Sequence, residues 1–360
     1  AGVIRLRDYA PRPALRVPST VVERPRHAVV DAHAHLGPTA FSGDWMGRPV
    51  GELIALLDSA GVDTIVNLDG GWGETLRAQV TRYDRPYPDR FVTFAGVDYD
   101  GFANDDRFGE VEAARLRDSA RIGARGLKVW KLLGLRARDR AGRLVAVDDP
   151  RLDPLWATAG ELGLPVLIHV GDPIAFFEPL DRFNERYEEL TEHPDWHFWP
   201  TRPRARPDEP GFPPFDELME GLWRVVQGHP GTTFIGAHVG CAAEDLRWVS
   251  SMLDACPNYA VDLAARLGEL GRQPYSARDF LVRHQDRVLF GSDGDPQLDE
   301  YRTWYRFLET RDESFAYGTA PTPQQGRWAV HGLGLPDEVL RKLYGDNARR
   351  LLGLVPGRPG

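Results

Sequence analysis

Eight short apolar runs, near residues 28, 64, 91, 126, 165, 233, 259 and 288, recur along this chain with helical patterns between most of them. Alternation of that kind predicts a parallel sheet covered by helices. Eight units fit a (β/α)8 TIM barrel, an α/β fold whose reactive residues sit at the C-terminal ends of the strands. A chain of 360 residues is long for one ordinary domain, but a barrel with insertions accommodates it. The doubly wound alternative rests on Leu68-Asp69-Gly70-Gly71-Trp72-Gly73, a glycine-rich turn out of a strand. No glycine follows at position 76 to complete a dinucleotide fingerprint, so the barrel is preferred.

The helices follow from apolar spacing and stop signals. Val50 to Ala60 carries Leu53, Ile54, Leu56 and Leu57 as one stripe, and Gly61 ends it. Further helices are expected near 109–122, 152–162, 215–227, 243–254, 277–283, 298–309, 337–343 and 346–352. Residues 1–28, rich in Pro and Arg, are expected to wrap the barrel domain (29–355) as an arm.

The first strand ends in Val29-Val30-Asp31-Ala32-His33-Ala34-His35-Leu36-Gly37. Strand residues two apart face the same side, so His33 and His35 can aim both imidazoles at one metal ion. With 10 His in 360 residues, chance supplies about 0.3 such pairs, so the motif needs context. Three other apolar runs supply it by ending in His169, His238 and Asp293. Four chain-distant strand ends then carry metal-ligand residue types. Asn67, Asp69, Asp98, Tyr99, Trp130, Asp172 and Asp262 also stand at strand ends and form a wider pool of mouth-side residues.

One stretch breaks the repeat. Residues 172–230 separate two strands where a short loop and one helix would suffice. It holds Phe176, Phe177, Phe183, Trp196, Phe198 and Trp199, which suit either an aromatic mini-core or subunit interface, or a lid over the barrel mouth. His193 and His197 within it are four apart, but Pro194 between them argues against a helical metal site.

Composition bounds the partners. With 44 basic and 53 acidic residues, the formal net charge of −9 argues against nucleic acid. The cluster Arg202, Arg204 and Arg206 reads as a solvated loop. Two cysteines, Cys241 and Cys256, cannot make a disulfide framework and read as small buried residues in a reducing compartment. No run approaches a membrane span and the first residues lack a signal-peptide core, so a cytoplasmic protein is expected. A homo-oligomer is left open, because the aromatic insertion could cover its own barrel or a second subunit.

The set His33-x-His35, His169, His238 and Asp293 resembles the amidohydrolase superfamily. Val30-Asp31-Ala32-His33-Ala34-His35, Phe290-Gly291-Ser292-Asp293 and Tyr344-Gly345-Asp346-Asn347-Ala348-Arg349-Arg350-Leu351-Leu352 sharpen the likeness. Together they look like the branch containing aminocarboxymuconate semialdehyde decarboxylase, resorcylate-type decarboxylases and lactonases. The resemblance implies that His33, His35, His169 and Asp293 hold one divalent ion, usually zinc, with His238 a nearby acid/base. Imidazoles with one carboxylate suit such an ion and leave a position open for water or substrate. In binuclear relatives a lysine at the end of the fourth strand bridges two metals. Lys131 lies nearer that end than Lys128, and it is the candidate for a bridge or, more simply, for a contact with an anionic substrate or an internal ion pair.

Two reactions follow from the resemblance. One is hydrolysis of a lactone, amide or similar carboxyl-derived bond of a small molecule, with Asp293 and His238 moving the proton. The other is non-oxidative decarboxylation of an aromatic or unsaturated acid. Some decarboxylases of the branch carry a carboxylate where His33 stands, and that departure tilts the balance modestly toward hydrolysis. A decarboxylase would need a basic clamp, for which Arg48, Arg77 and Arg182 are available. A non-catalytic binding barrel would be expected to have lost a ligand position, and here each is filled.

Overall fold

Strands form where the apolar runs stand: β1 (Val29–Ala34), β2 (Val62–Asn67), β3 (Phe91–Thr93), β4 (Leu127–Val129), β5 (Val166–Ile168), β6 (Phe234–Gly236), β7 (Tyr259–Asp262) and β8 (Val288–Leu289). The structure, a computed structural model, describes residues 4–5, 8–9, 14–37, 45–199, 211–318 and 325–354. Arg202, Arg204 and Arg206 lie outside the described residues. Of all the strand residues only Asp63 escapes full burial, as expected when helices cover a parallel sheet.

Neighbouring strands pair in parallel as β1-β2-β3 and β4-β5-β6-β7-β8. Backbone hydrogen bonds join the two arcs. Lys128 N donates to Ala95 O at 2.7 Å and Ala95 N to Gly126 O at 2.8 Å. On the other side Ala32 N donates to Phe290 O at 2.9 Å and Asp293 N to His33 O at 2.8 Å. The sheet is therefore a closed barrel with no free edge.

Two apolar layers hold it. Val30, Ala32, Val66, Val92, Leu167, Ile235, Ala260 and Leu289 fill the barrel, and Ala348 and Leu352 of the last helix pack against them. The larger layer lies between strands and helices. The helix Val50–Ala60 buries Leu53, Leu57 and Ala60 there, and Gly61 at φ 74 ends it in the left-handed conformation that glycine adopts freely. Segment 14–28 is tied to the helix Leu298–Glu309 and the loop after it: Thr20 N and Oγ1 donate to Asp312 at 2.6 and 2.8 Å, and Arg26 N donates to Glu309 at 3.1 Å.

Between Asp31 and Ala34, β1 spends one residue more than its partner. Asp31 is opposite Ile65 and Ala34 opposite Asn67, so Ala32 and His33 share the place facing Val66. This is a β-bulge, and it reverses the phase of the strand. Val30 and Ala32 point into the barrel, and beyond the bulge His33 and His35 do as well.

The insertion splits into short helical turns at Ile174–Phe177, Tyr187–Glu192 and Pro194–Trp196, before the long helix Phe215–Gly228 that precedes β6. Phe177 packs against Phe198 and Phe215, each at 5.5 Å between ring centres, and Phe176 stacks on Trp196 at 6.3 Å. Phe183, by contrast, is 79% exposed. His193 stacks on Trp196 and His197 Nε2 donates to Glu178 O at 2.7 Å, so these two histidines do not converge. Cys241 and Cys256 are both buried and unpaired. Among the described residues no helix is long and apolar enough to cross a membrane.

Gly236 closes β6 against β7, where a methyl group would overlap the Tyr259 hydroxyl and approach Gly240 Cα to 2.9 Å. We expect Gly236→Ala to cost about 1–3 kcal/mol, the usual range for overpacking, measured as a lowered urea midpoint with an unchanged slope.

Candidate active site

The strand ends converge on one half-buried carboxylate. Asp293 Oδ1 lies 2.9 Å from His33 Nε2 and 3.4 Å from His35 Nε2, and Oδ2 lies 3.9 Å from His238 Nδ1. Ligand atoms of His33, His238 and Asp293 all fall within 4.8 Å of one another. The His169 ring stands 4.4 Å from that of His238, and the His238 ring 4.9 Å from that of His33.

Each imidazole is oriented by its other nitrogen. His33 Nδ1 donates to Asp262 Oδ2 at 2.9 Å and His35 Nδ1 to Asp69 Oδ1 at 2.7 Å. Both rings thereby turn Nε2 toward the centre, the arrangement found behind metal-ligating histidines. A carbonyl can only accept, so His238 Nδ1, 2.9 Å from Ala264 O, carries the proton and Nε2 keeps the lone pair. By the same reasoning His169 donates Nε2–H to Gly171 O at 3.0 Å and retains its lone pair on Nδ1. The donor set of imidazole nitrogens and a carboxylate, with tautomers already chosen, fits a divalent transition metal.

Strain is concentrated at the same place. His238 and Val239 (φ 58 for both), Cys241 (φ 63), Ala265 (φ 56) and Asp293 (φ 72) are left-handed although none is glycine. Each such residue costs on the order of 1–2 kcal/mol unless its surroundings impose it. Asp262 is one source of that support, since its Oδ1 accepts from His238 N at 2.9 Å and from Ala264 N at 3.0 Å. Asp31, wholly buried, accepts from Ser292 N at 3.1 Å and from Ser292 Oγ and Tyr301 Oη at 2.7 Å each, which pins the loop before Asp293.

The electrostatics follow from burial and crowding. Burial alone would raise the Asp293 carboxyl, but the imidazoles of His238, His33 and His35 outweigh it and hold the group well below the usual carboxylate range. Burial pushes His238 well below the usual imidazole value and brings His169 down to about 4 despite Asp172, so both are neutral. His35 goes the other way: Asp293 and Asp69 overcome its burial and raise it to about 9. Glu300 is pushed up to about 8 by burial and by Asp31, Asp293 and Asp295.

Of the two lysines near the end of β4, Lys128 is the one that reaches the cluster. Its side chain points into the barrel, with Nζ 3.3 Å from His33 Nε2, and burial lowers it to about 8. Lys131 lies past the strand, leans toward the β5 loop and pairs with Asp172 Oδ2 at 2.5 Å. Asp172 also lies 3.4 Å from His169 Nε2.

Above the cluster opens a cavity of about 350 Å³. Its floor includes His35, His169, His238 and Asp293, and its walls include Trp130, Phe176 and Trp196. Trp130 lies tilted over His35 at 5.0 Å. The wider pool divides here. Asp69, Asp262, Asp172 and Trp130 touch the site residues, whereas Asn67 bonds Gln79, Asp98 bonds Arg115, and Tyr99 accepts from Trp130 N. None of Arg48, Arg77 and Arg182 lines the cavity: Arg48 and Arg77 pair with Glu52 and Glu74, and Arg182 lies over Phe183. Arg186 and Arg266 line it instead. Arg266 follows a strand-end run, Asp262-Leu263-Ala264-Ala265, so the same positional rule that found the histidines points to it.

Comparison with solved structures finds the same architecture at low identity. An uncharacterized TIM-barrel protein from Bordetella bronchiseptica is 15% identical with a TM-score of 0.54, over 91% of this chain and 98% of that one. A 2,6-dihydroxybenzoate decarboxylase, complexed with 2,6-dihydroxybenzoate, is 16% identical with a TM-score of 0.55, over 91% and 100%. A manganese-bound 5-carboxyvanillate decarboxylase from Novosphingobium aromaticivorans is 15% identical with a TM-score of 0.51, over 91% and 98%. A comparison with curated proteins finds no match. The amidohydrolase family model matches residues 30–354, nearly the whole barrel and all five converging side chains, and this chain belongs to the amidohydrolase family.

Proposed function

We propose that the protein is a metal-dependent hydrolase acting on a lactone, amide or similar carboxyl-derived bond of a small molecule. The observation that carries this reading is the pair of carboxylate-locked imidazoles, His33 on Asp262 and His35 on Asp69, beneath a cavity of small-molecule size. His33, His35, His169 and Asp293 would hold one divalent ion, zinc or manganese. When bound, such an ion supplies a water acidified to a pKa of about 7 and polarises a carbonyl oxygen.

The chain's own residues do the rest. Asp293, ionised and facing the cavity, accepts the proton of the attacking water. His238, neutral with its Nε2 lone pair free, takes up a proton and returns it to the leaving oxygen or nitrogen. Trp130, Phe176 and Trp196 flank the substrate and exclude water from it. The net charge of −9 and the enclosed site favour a small-molecule substrate over nucleic acid or a membrane surface, and a cytoplasmic setting agrees with both.

A second reading is non-oxidative decarboxylation, favoured by those three aromatic walls, which suit a planar ring. There His238 would protonate the ring carbon that bears the carboxylate, and the carbon–carbon bond would break with release of CO2. Lactones and aromatic acids assayed side by side distinguish the two: carboxylic acid formed without CO2 supports hydrolysis, and CO2 evolution replaces it with the lyase.

Elemental analysis of protein purified without added metal or chelator should give about one equivalent of a divalent metal per chain. His35→Ala and His169→Ala should each lose most of that metal, whereas full retention removes the residue from the ligand set. His238→Ala should keep its metal and lose about 10²–10⁴ in kcat. If His238→Ala loses the metal and His169→Ala keeps it, His238 takes the ligand position that the compact His33–His238–Asp293 triangle offers.

A further inference from the structure

We infer that Arg266 recognises an anionic group of the substrate, a carboxylate or similar planar oxyanion, in the cavity above the metal-ligand cluster. The inference rests on the reading of that cavity as the substrate site, but it holds for hydrolysis and decarboxylation alike.

Arg266 leaves the end of β7 immediately after Ala265, whose left-handed backbone (φ 56) turns the chain at the barrel mouth. It is only 6% exposed and lines the cavity. Its one hydrogen bond is from Nη1 to the carbonyl of Ala265 at 3.2 Å, and among the described residues no carboxylate forms an ion pair with it.

The other cations of the cavity wall are ion-paired. Arg186 donates to Glu189 at 2.8 Å and also pairs with Glu269, and Lys131 pairs with Asp172. Among the described residues, Arg266 is thus the wall arginine with no carboxylate at ion-pair distance. A buried charge that lacks a partner costs several kcal/mol. Retaining it at the wall of a pocket is explained if a ligand supplies the missing negative charge. A guanidinium presents parallel N–H donors that match a carboxylate in bidentate fashion, which a point charge cannot do.

Position supports the assignment. Arg266 lines the same cavity as the acid/base His238 and as Glu189 and Trp196 of the insertion. An anion held there sets the substrate against Trp130 and Trp196 with its reacting end toward His238.

The test is ligand binding by metal-analysed protein, with benzoate as the anionic probe and benzamide as its neutral counterpart. Quenching of the cavity tryptophans reports both. The wild-type protein should prefer benzoate by at least tenfold. Arg266→Met should weaken benzoate by about 10–100-fold, the worth of a charge-assisted pair, and leave benzamide unchanged. Arg266→Lys should fall between, since it keeps the charge and loses the fork. It also carries the test if Arg266→Met does not fold.

Equal benzoate affinity in wild type and variant, or no preference for benzoate in the wild type, overturns the inference. Metal content separates the two readings. A metal-free wild-type protein that still shows the Arg266 dependence refutes the metal-dependent hydrolase and upholds the anion site. A metal-replete protein indifferent to Arg266 does the reverse.

Discussion

The extra residue in β1 decides which way the two histidines face. A strand alternates sides, and Val30 and Ala32 already point into the barrel, so an unbroken strand would send His33 and His35 outward among the helices. The bulge at Ala32-His33 flips the phase and delivers both imidazoles to the interior. Asp31, just before it, is left on the outer side, where it bonds Ser292 and Tyr301 and anchors the loop that carries Asp293. One inserted residue thus assigns three side chains in and just after β1 to two different tasks. Bulges beside active sites serve to re-aim side chains in this way.

Everything gathered by that flip is expensive. Four imidazoles, Lys128 and several carboxylates are buried at the top of an apolar barrel, and five residues there hold strained backbone. The structure offsets part of the cost with a shared network rather than isolated pairs. Asp262 alone joins β7 to His33 of β1 and to the His238 turn after β6, so one carboxylate fixes a tautomer and supports a strained turn. Asp293 faces the inner nitrogens of His33 and His35, whose outer nitrogens Asp262 and Asp69 hold, and the lone pairs of His238 and His169 are unprotonated at neutral pH. A divalent ion would use those lone pairs directly.

The fold was legible because its signal is periodic and local. All eight apolar runs became strands, and Val50–Ala60 and Leu298–Glu309 fell where the apolar stripe and stop residues placed them. The converging residues were legible because a barrel gathers the ends of its strands, whatever their separation in sequence. What the sequence hid was direction. The bulge has no signature in Val29–Ala34, and with strict alternation His33 and His35 still share a side, so the pattern looks right for the wrong face. Lys131 appeared better placed than Lys128 by distance along the strand, yet orientation brings Lys128 to His33. Likewise Arg48, Arg77 and Arg182 were read from loops, whereas the cavity takes its arginines from the insertion and from the end of β7.

Hydrolysis and decarboxylation draw on the same five converging residues, so the choice between them lies in how the substrate is held rather than in the proton-moving groups. His238 offers one lone pair at one place. If the anion on Arg266 is a remote handle, the scissile carbonyl meets the water delivered beside Asp293, and His238 serves the leaving group. If that anion is itself the reacting carboxylate, His238 faces the carbon that bears it, and protonation there expels CO2. The cavity walls permit a flat ring in either pose, since Trp130 and Trp196 provide faces without directional bonds. On the proposed reading, the distance from the anion to the reacting carbon would therefore select the chemistry, and moving one arginine would change the reaction while leaving the converging histidines and Asp293 intact.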